Sequence, residues 1–196
     1  MDKSLQSLYL CGLPAFVLPN GSSLALFVES NDWKIEGTDD EETYMTKVNF
    51  YDNIDDSMLK FAVIIAKHNG KWVFCKHKER STWEVPGGHR EPGEDILDTA
   101  KRELYEETGA IDFEIHSVCI YSVTAPDQFG GAETFGKLFF ADIRTFEKDL
   151  HSEIERIAIM DELPENWTYP EIQPKLLEEA RRRGFLPKLD EKSNRR

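Results

Sequence analysis

Three glutamates crowded at the end of one amphipathic stretch constrain this chain more than any other feature. The segment EDILDTAKRELYEET, residues 94–108, carries apolar residues at helical spacing and is followed by Gly109. A glycine just past the last turn ends many helices, because it takes positive φ without Cβ strain. The pattern therefore predicts a helix that stops there. At about 100° per residue, with Glu103 at the origin, Glu106 falls near −60° and Glu107 near +40°. The apolar Ile96, Leu97, Ala100 and Leu104 span about +20° to +120°. The carboxylates thus border the buried stripe and do not face open solvent.

That placement is costly. Like charges three and four residues apart repel by a few tenths of a kcal/mol. Nearness to a core removes solvation, and the C-terminal end of a helix disfavours anions. A bound divalent cation offsets all three penalties, and carboxylate oxygens are the hard ligands that Mg²⁺ or Mn²⁺ prefers. The competing interpretation is an ordinary acidic helix face balanced by Lys101 and Arg102. The cluster alone favours that blander interpretation, so the flanking residues decide.

The flanks read as strands and glycine-rich turns. LKFAVIIAK (59–67) and KWVFCKH (71–77) are β-rich runs joined through Asn69-Gly70, a two-residue hairpin signal. A loop crowded with Pro and Gly, KERSTWEVPGGHREPGE, leads into the helix. DFEIHSVCIYSVTA and TFGKLFFADIRTF read as further strands, and PEIQPKLLEEARRRG as a C-terminal helix. Strands distant in sequence with helices between and after them predict an α/β (α+β) fold, a mixed β-sheet flanked by helices. Residues 1–50 differ: two short strands around Asn20-Gly21 predict a β-hairpin, followed by an acidic, turn-rich linker over 31–42. The expected organisation is an N-terminal extension over 1–50, a main folded domain over 51–187 and a charged tail over 188–196.

The formal charge of −13 argues against bulk nucleic-acid binding through general electrostatics. From Lys175 to Arg196 there are eight Lys/Arg against four Asp/Glu, a local basic excess that a solvated helix and tail explain as well as a partner does. Cys11, Cys75 and Cys119 show no CxxC spacing, which suggests buried thiols in a reducing compartment. The opening stretch is broken by Gly12, Pro14 and Pro19, and no run approaches the roughly 18 apolar residues of a membrane span. The expectation is a cytoplasmic protein with no membrane partner.

The spacing around the acidic helix is Gly88, five residues, Glu94, seven residues, Arg102-Glu103-Leu104, one residue, Glu106-Glu107, one residue, Gly109-Ala110. This resembles the box of the Nudix hydrolases, of MutT type, and the preceding WEVPGG resembles the usual lead-in. The one departure is Ala110, where a larger aliphatic is usual, which touches packing more than chemistry. The resemblance implies an α-β-α sandwich whose box forms a loop–helix–loop. Glu103, Glu106 and Glu107 stand where the family's metal ligands stand, and the Gly87 carbonyl where a further ligand often comes from. Arg102 and Glu94 stand where an ion pair orients the catalytic glutamates. Gly88, Glu94 and Gly109 are the box's structural positions. The implied reaction is attack of metal-activated water on a phosphorus of a nucleoside diphosphate linked to another moiety, with Mg²⁺ or Mn²⁺ as cofactor. The general base would be a box glutamate or one from a later loop, for which Glu133, Glu153 and Glu155 are candidates. Many relatives are dimers, so a homodimer is an implied possibility.

Specificity lies outside the box. Lys76, Lys78 and Arg80 are candidates to meet phosphate oxygens, with Lys76 and Lys78 on one strand face, and Glu133 is a further candidate at the substrate site. Trp83, Phe129, Trp167 and Tyr169 are candidates to stack a base, against the usual role of large aromatics in a core. Pro126, 16 residues after Ala110, resembles the marker of ADP-ribose pyrophosphatases, although APDQFGG is also a plain turn sequence. The first expectation is a nucleoside triphosphate pyrophosphohydrolase releasing NMP and pyrophosphate. The alternatives are ADP-ribose or nucleotide-sugar hydrolysis, removal of RNA 5′ pyrophosphate, and a non-catalytic Nudix-fold regulator that binds nucleotides. The intact glutamates weigh against the last.

Overall fold

The computed structural model describes residues 45–125, 131–147 and 154–188. Among the described residues, seven strands and two α-helices follow in the order β1 (Lys47–Tyr51), β2 (Leu59–His68), β3 (Lys71–His77), β4 (Gly87–His89), α1 (Ile96–Thr108), β5 (Ala110–Thr124), β6 (Thr134–Phe146), β7 (Ile154–Met160) and α2 (Gln173–Arg182). The strands form one sheet in the order β1-β5-β6-β2-β3-β7, with β4 on the edge of β2. The β2–β6 pair is parallel, whereas β1–β5, β5–β6, β2–β3 and β3–β7 are antiparallel. The sheet is mixed, and the fold class is α+β.

Local chemistry sets most of these elements. Asn69 and Gly70 turn the β2–β3 hairpin with φ of 50° and 79°, the two positive values that a type I′ turn demands. Helix α1 opens at Asp95, whose side chain accepts the Leu97 N–H at 2.8 Å, a standard use of a short acidic side chain. It closes at Gly109, with φ 74° and its N–H on the Tyr105 carbonyl.

Alternation along β2 sorts the core into two layers. Ala62, Ile64 and Ala66 pack with Ile96, Ala100 and Leu104 of α1. Phe61, Val63 and Ile65 join Leu176, Leu177 and Ala180 of α2 on the opposite face. Burial of a large aliphatic contributes about 1.5–3 kcal/mol, which fixes the pitch of α1 against the sheet.

One irregularity builds the site. β2 and β3 pair only where Ala66–His68 meets Lys71–Val73. Beyond that they diverge, and residues 84–89 fill the gap. Glu84 bridges Cys75, the Pro86 carbonyl accepts the Ile64 N–H, and β4 runs antiparallel to Phe61–Val63.

Strands β3 and β6 coincide with the runs read from the sequence. The short β4 and the edge strand β7 were not anticipated. The sheet starts at Lys47, inside the segment read as an extension ending at residue 50. The hairpin around Asn20-Gly21, the acidic linker, and the tail apart from Lys188 lie outside the described residues.

Candidate metal and substrate site

Arg102, on the second turn of α1, is the hub of the acidic cluster. Its Nε and Nη2 donate to the two oxygens of Glu94 at 2.9 and 3.1 Å, a bidentate pair. Its Nη1 donates to Glu103 at 2.7 Å and Glu106 at 3.1 Å, and Nη2 also reaches the His89 carbonyl at 3.0 Å. Glu94 further accepts from Thr99 Oγ1 at 2.7 Å and the Glu91 N–H at 3.1 Å. The Arg102 hydrogen bonds hold the Glu94 carboxyl down at about 2. The same bonds push the guanidinium further above its ordinary value.

Glu103 and Glu107 sit one turn apart on the buried side. Burial raises the Glu103 carboxyl, and Arg102 opposes that rise. Burial pushes Glu107 up to about 8, opposed by the Gly87 N–H, which donates to its Oε2 at 2.9 Å. The Cys75 thiol lies 3.5 Å from the same oxygen. Glu106 is the most solvent-accessible of the three, its side chain 38% exposed against 12% for Glu103.

The paired glycines are a steric requirement. A Cβ on Gly88 would overlap the Glu103 carboxylate. A Cβ on Gly87 would stand 2.5 Å from the Ala62 carbonyl oxygen and 2.9 Å from the Val63 Cα. Glycine thus lets β4 lie between β2 and the acidic end of α1.

Among the described residues, no three His, Cys, Asp or Glu side chains already converge into a closed cage. The donor set nevertheless fits a divalent cation. Glu103, Glu106 and Glu107 offer hard oxygens from one end of one helix. The Gly87 carbonyl shares a strand edge with the N–H that meets Glu107, because both groups of a strand residue point the same way. Mg²⁺ is commonly held by one or two carboxylates, with waters and substrate phosphates completing its shell, so an open half-site is the expected form. Burial raises the carboxyls of Glu103 and Glu107, and a nearby cation would favour their charged forms.

A cleft of about 350 Å³ opens beside this cluster. Its lining includes Gly87, Gly88, Glu107, Arg80, Glu84 and Tyr169.

The sequence matches the NUDIX domain over residues 57–188. The chain belongs to the Nudix hydrolase family. The Bacillus subtilis protein named "Putative 8-oxo-dGTP diphosphatase YtkD" is 33% identical over 108 residues, covering 55% of this chain and 65% of that protein. An RNA pyrophosphohydrolase of Bartonella henselae is 37% identical over 62 residues, 27% of this chain and 36% of its own length. The match thus spans less than two thirds of these curated relatives. The crystal structure of the Bacillus subtilis pyrophosphohydrolase BsRppH superposes with a TM-score of 0.60 at 26% identity, covering 71% of this chain and 92% of that one.

The Nudix helix gathers Arg102, Glu94, Glu103, Glu106 and Glu107, with Gly87, Gly88 and Gly109 at its borders. The substrate candidates scatter. Lys76 is bound to Glu155 at 2.5 Å, and Lys78 is exposed and outside the cleft lining. Arg80 and Tyr169 line the cleft. Trp83 bridges Trp167 through the backbone and lies under Arg156, while Trp167 packs edge-on against Phe74. Glu133 accepts from Ser122 Oγ at 2.6 Å and Tyr51 Oη at 3.0 Å and is not among the cleft-lining residues. Pro126, Phe129 and Glu153 lie outside the described residues. Sequence reasoning missed Glu84, Gln173 and Cys75. Glu84 stood inside the quoted WEVPGG, and its period-2 relation to Pro86 was the one signal available.

Proposed function

We propose that this Nudix chain is a Mg²⁺- or Mn²⁺-dependent pyrophosphohydrolase that converts a nucleoside triphosphate and water to NMP and pyrophosphate. The observation that supports the proposal is the intact set Glu103, Glu106 and Glu107: Arg102 holds the first two, the Gly87 N–H meets the third, and Glu107 lines a cleft of about 350 Å³ with Gly87 and Gly88. Glu103, Glu106, Glu107 and the Gly87 carbonyl would hold the cation. When bound, it supplies charge neutralisation on the phosphates and a more acidic water. Arg102 keeps Glu103 and Glu106 pointed at one place while leaving Glu106 accessible. The water oxygen bonds to phosphorus as the bridging P–O bond breaks and pyrophosphate leaves. A box glutamate suits proton acceptance better than Glu133 or Glu155, because neither of those two lines the cleft that Glu107 lines.

A second reading, removal of pyrophosphate from RNA 5′ ends, draws support from the likeness to the Bartonella RNA pyrophosphohydrolase. The net charge of −13 weighs against a long RNA footprint. Action on free nucleotides also suits a cytoplasmic location. Among the described residues no helix is long and apolar enough to cross a membrane.

The test is a substrate panel of dNTPs, ADP-ribose, a nucleotide sugar and triphosphorylated RNA, with Mg²⁺ and Mn²⁺ and products identified by mass. The expected result is fastest turnover of a triphosphate. Glu106→Gln should lower kcat by at least about 100-fold, because it removes charge at the metal, while the circular dichroism spectrum is unchanged. An equally active Glu106→Gln protein would show that the site is misassigned.

A further inference from the structure

Three basic residues precede the box, and the structure sorts them. Lys76 is neutralised by Glu155, Lys78 stands outside the cleft, and Arg80 lines the same cleft as Glu107, Gly87 and Gly88. Arg80 is anchored there from two directions. Its Nη1 donates to Glu84 Oε2 at 2.8 Å and to Tyr169 Oη at 3.4 Å, and its guanidinium carbon lies 5.6 Å from the Tyr169 ring centroid. Both anchors use Nη1. Nε and Nη2 carry no hydrogen-bond partner among the described residues, so three of the five guanidinium N–H donors remain available. The Arg80 side chain is 42% exposed, at the rim of the cleft, while Glu84 behind it is 10% exposed.

Glu84 lies close enough to Glu107 to add repulsion to an already crowded acidic wall. A carboxylate buried in such a place must be paired, and Arg80 is its salt-bridge partner. The pair fixes a planar fork whose free edge suits phosphate oxygens, which guanidinium groups recognise bidentately. The cleft lining then carries both signs, Glu107 and Glu84 acidic and Arg80 basic. The α1 carboxylates serve a cation and the phosphates it carries, and Arg80 offers positive charge to whatever extends past them.

Resting on the pyrophosphohydrolase reading above, we propose that Arg80, positioned by Glu84 and Tyr169, binds the terminal phosphate of a 5′-triphosphate and so selects triphosphates over diphosphates capped by an uncharged sugar. A sugar hydroxyl in that place would desolvate the guanidinium without supplying charge.

The experiment compares kcat/KM for GTP and for ADP-ribose in the full chain with Mg²⁺, across wild type, Arg80→Gln, Arg80→Lys and Glu84→Gln. The wild type should favour GTP. Arg80→Gln should lower the GTP to ADP-ribose ratio at least about tenfold, mainly through KM for GTP, because charge-assisted hydrogen bonds are lost. Arg80→Lys should recover part of that loss, since it keeps the charge without the fork. Glu84→Gln should move the ratio the same way by a smaller factor. A ratio within about threefold of wild type in Arg80→Gln, a change smaller than one charged hydrogen bond, overturns the proposal, as does a wild type that prefers ADP-ribose.

A second readout is independent of turnover. Calorimetric binding of inorganic pyrophosphate with Mg²⁺ should weaken at least about tenfold in Arg80→Gln, with thermal melting confirming a folded protein. Unchanged pyrophosphate affinity overturns the assignment of Arg80 even if no substrate in the panel is cleaved. Absence of cleavage together with weakened pyrophosphate binding instead removes the hydrolase reading and leaves the Arg80 site standing.

Discussion

Replacing Arg102 by alanine is the most informative single perturbation of the acidic cluster. Arg102 makes five hydrogen bonds, four of them to Glu94, Glu103 and Glu106. Their side chains are 15%, 12% and 38% exposed. Summing four charged hydrogen bonds would overshoot, because residues in one network do not add. Glu106 is also exposed enough for water to replace its partner. The pair is half-buried, so the appropriate scale lies between an exposed pair and a buried one broken from one side, about 1–4 kcal/mol, with most of the loss falling on Glu94 and Glu103. The assay is urea denaturation in EDTA and again in millimolar Mg²⁺. The midpoint should fall in EDTA with the denaturant slope unchanged. Mg²⁺ should restore part of the loss, since a cation at Glu103 and Glu106 replaces the missing positive charge. A double-mutant cycle with Glu94→Gln apportions the Glu94 share. A loss below about 1 kcal/mol in EDTA, the range of an exposed surface pair, would refute the view that Arg102 holds the cluster together.

Three further outcomes follow from the same geometry. Gly88→Ala places a methyl in the Glu103 carboxylate, so kcat should drop at least about tenfold and the melting temperature should fall by several degrees, as for an overpacked site; a fully active alanine variant would contradict the close approach. Glu94 titrates at about 2 in the fold against an ordinary 4.5, so its contribution to stability is whole above pH 4.5 and fades as pH falls toward 2. Glu94→Gln should therefore flatten the acid limb of the stability curve relative to wild type, measured by urea midpoints across that range. Glu107 holds its proton up to about pH 8 without metal. Mg²⁺ binding at pH 7 should thus release protons, and its affinity should rise as pH approaches 8; calorimetry in buffers of different ionisation enthalpy counts the protons, and a zero count would place the metal away from Glu107.

The acidic helix was legible because everything that defines it is local. A 3.6-residue period, an Asp95 cap and a Gly109 stop are set by neighbours within a turn or two. The wheel that put Glu107 within the arc of Ile96 and Leu104 already implied a buried carboxylate. The β2–β3 hairpin was equally local, since Asn69 and Gly70 prescribe their own turn. Membership of the Nudix family was readable for the same reason, because its signature is one contiguous stretch.

Tertiary structure alone decided the rest. β7 could be placed only by its pairing with β3, and β4 only by the divergence of β2 from β3. Lys76 and Arg80 were indistinguishable as basic residues before the box. Register opposite Arg156 beside Glu155 neutralised the first, and the approach of Glu84 and Tyr169 fixed the second. Glu133, plausible as a loop acid, turned out to be held by Ser122 and Tyr51. Such sorting depends on residues far apart in the chain meeting across a sheet, and no periodicity encodes which ones will. The sequence by itself set the helix, its charges and the glycines that make room for them. Packing determined which side chains face the cleft, because burial and partner choice are properties of the closed sheet.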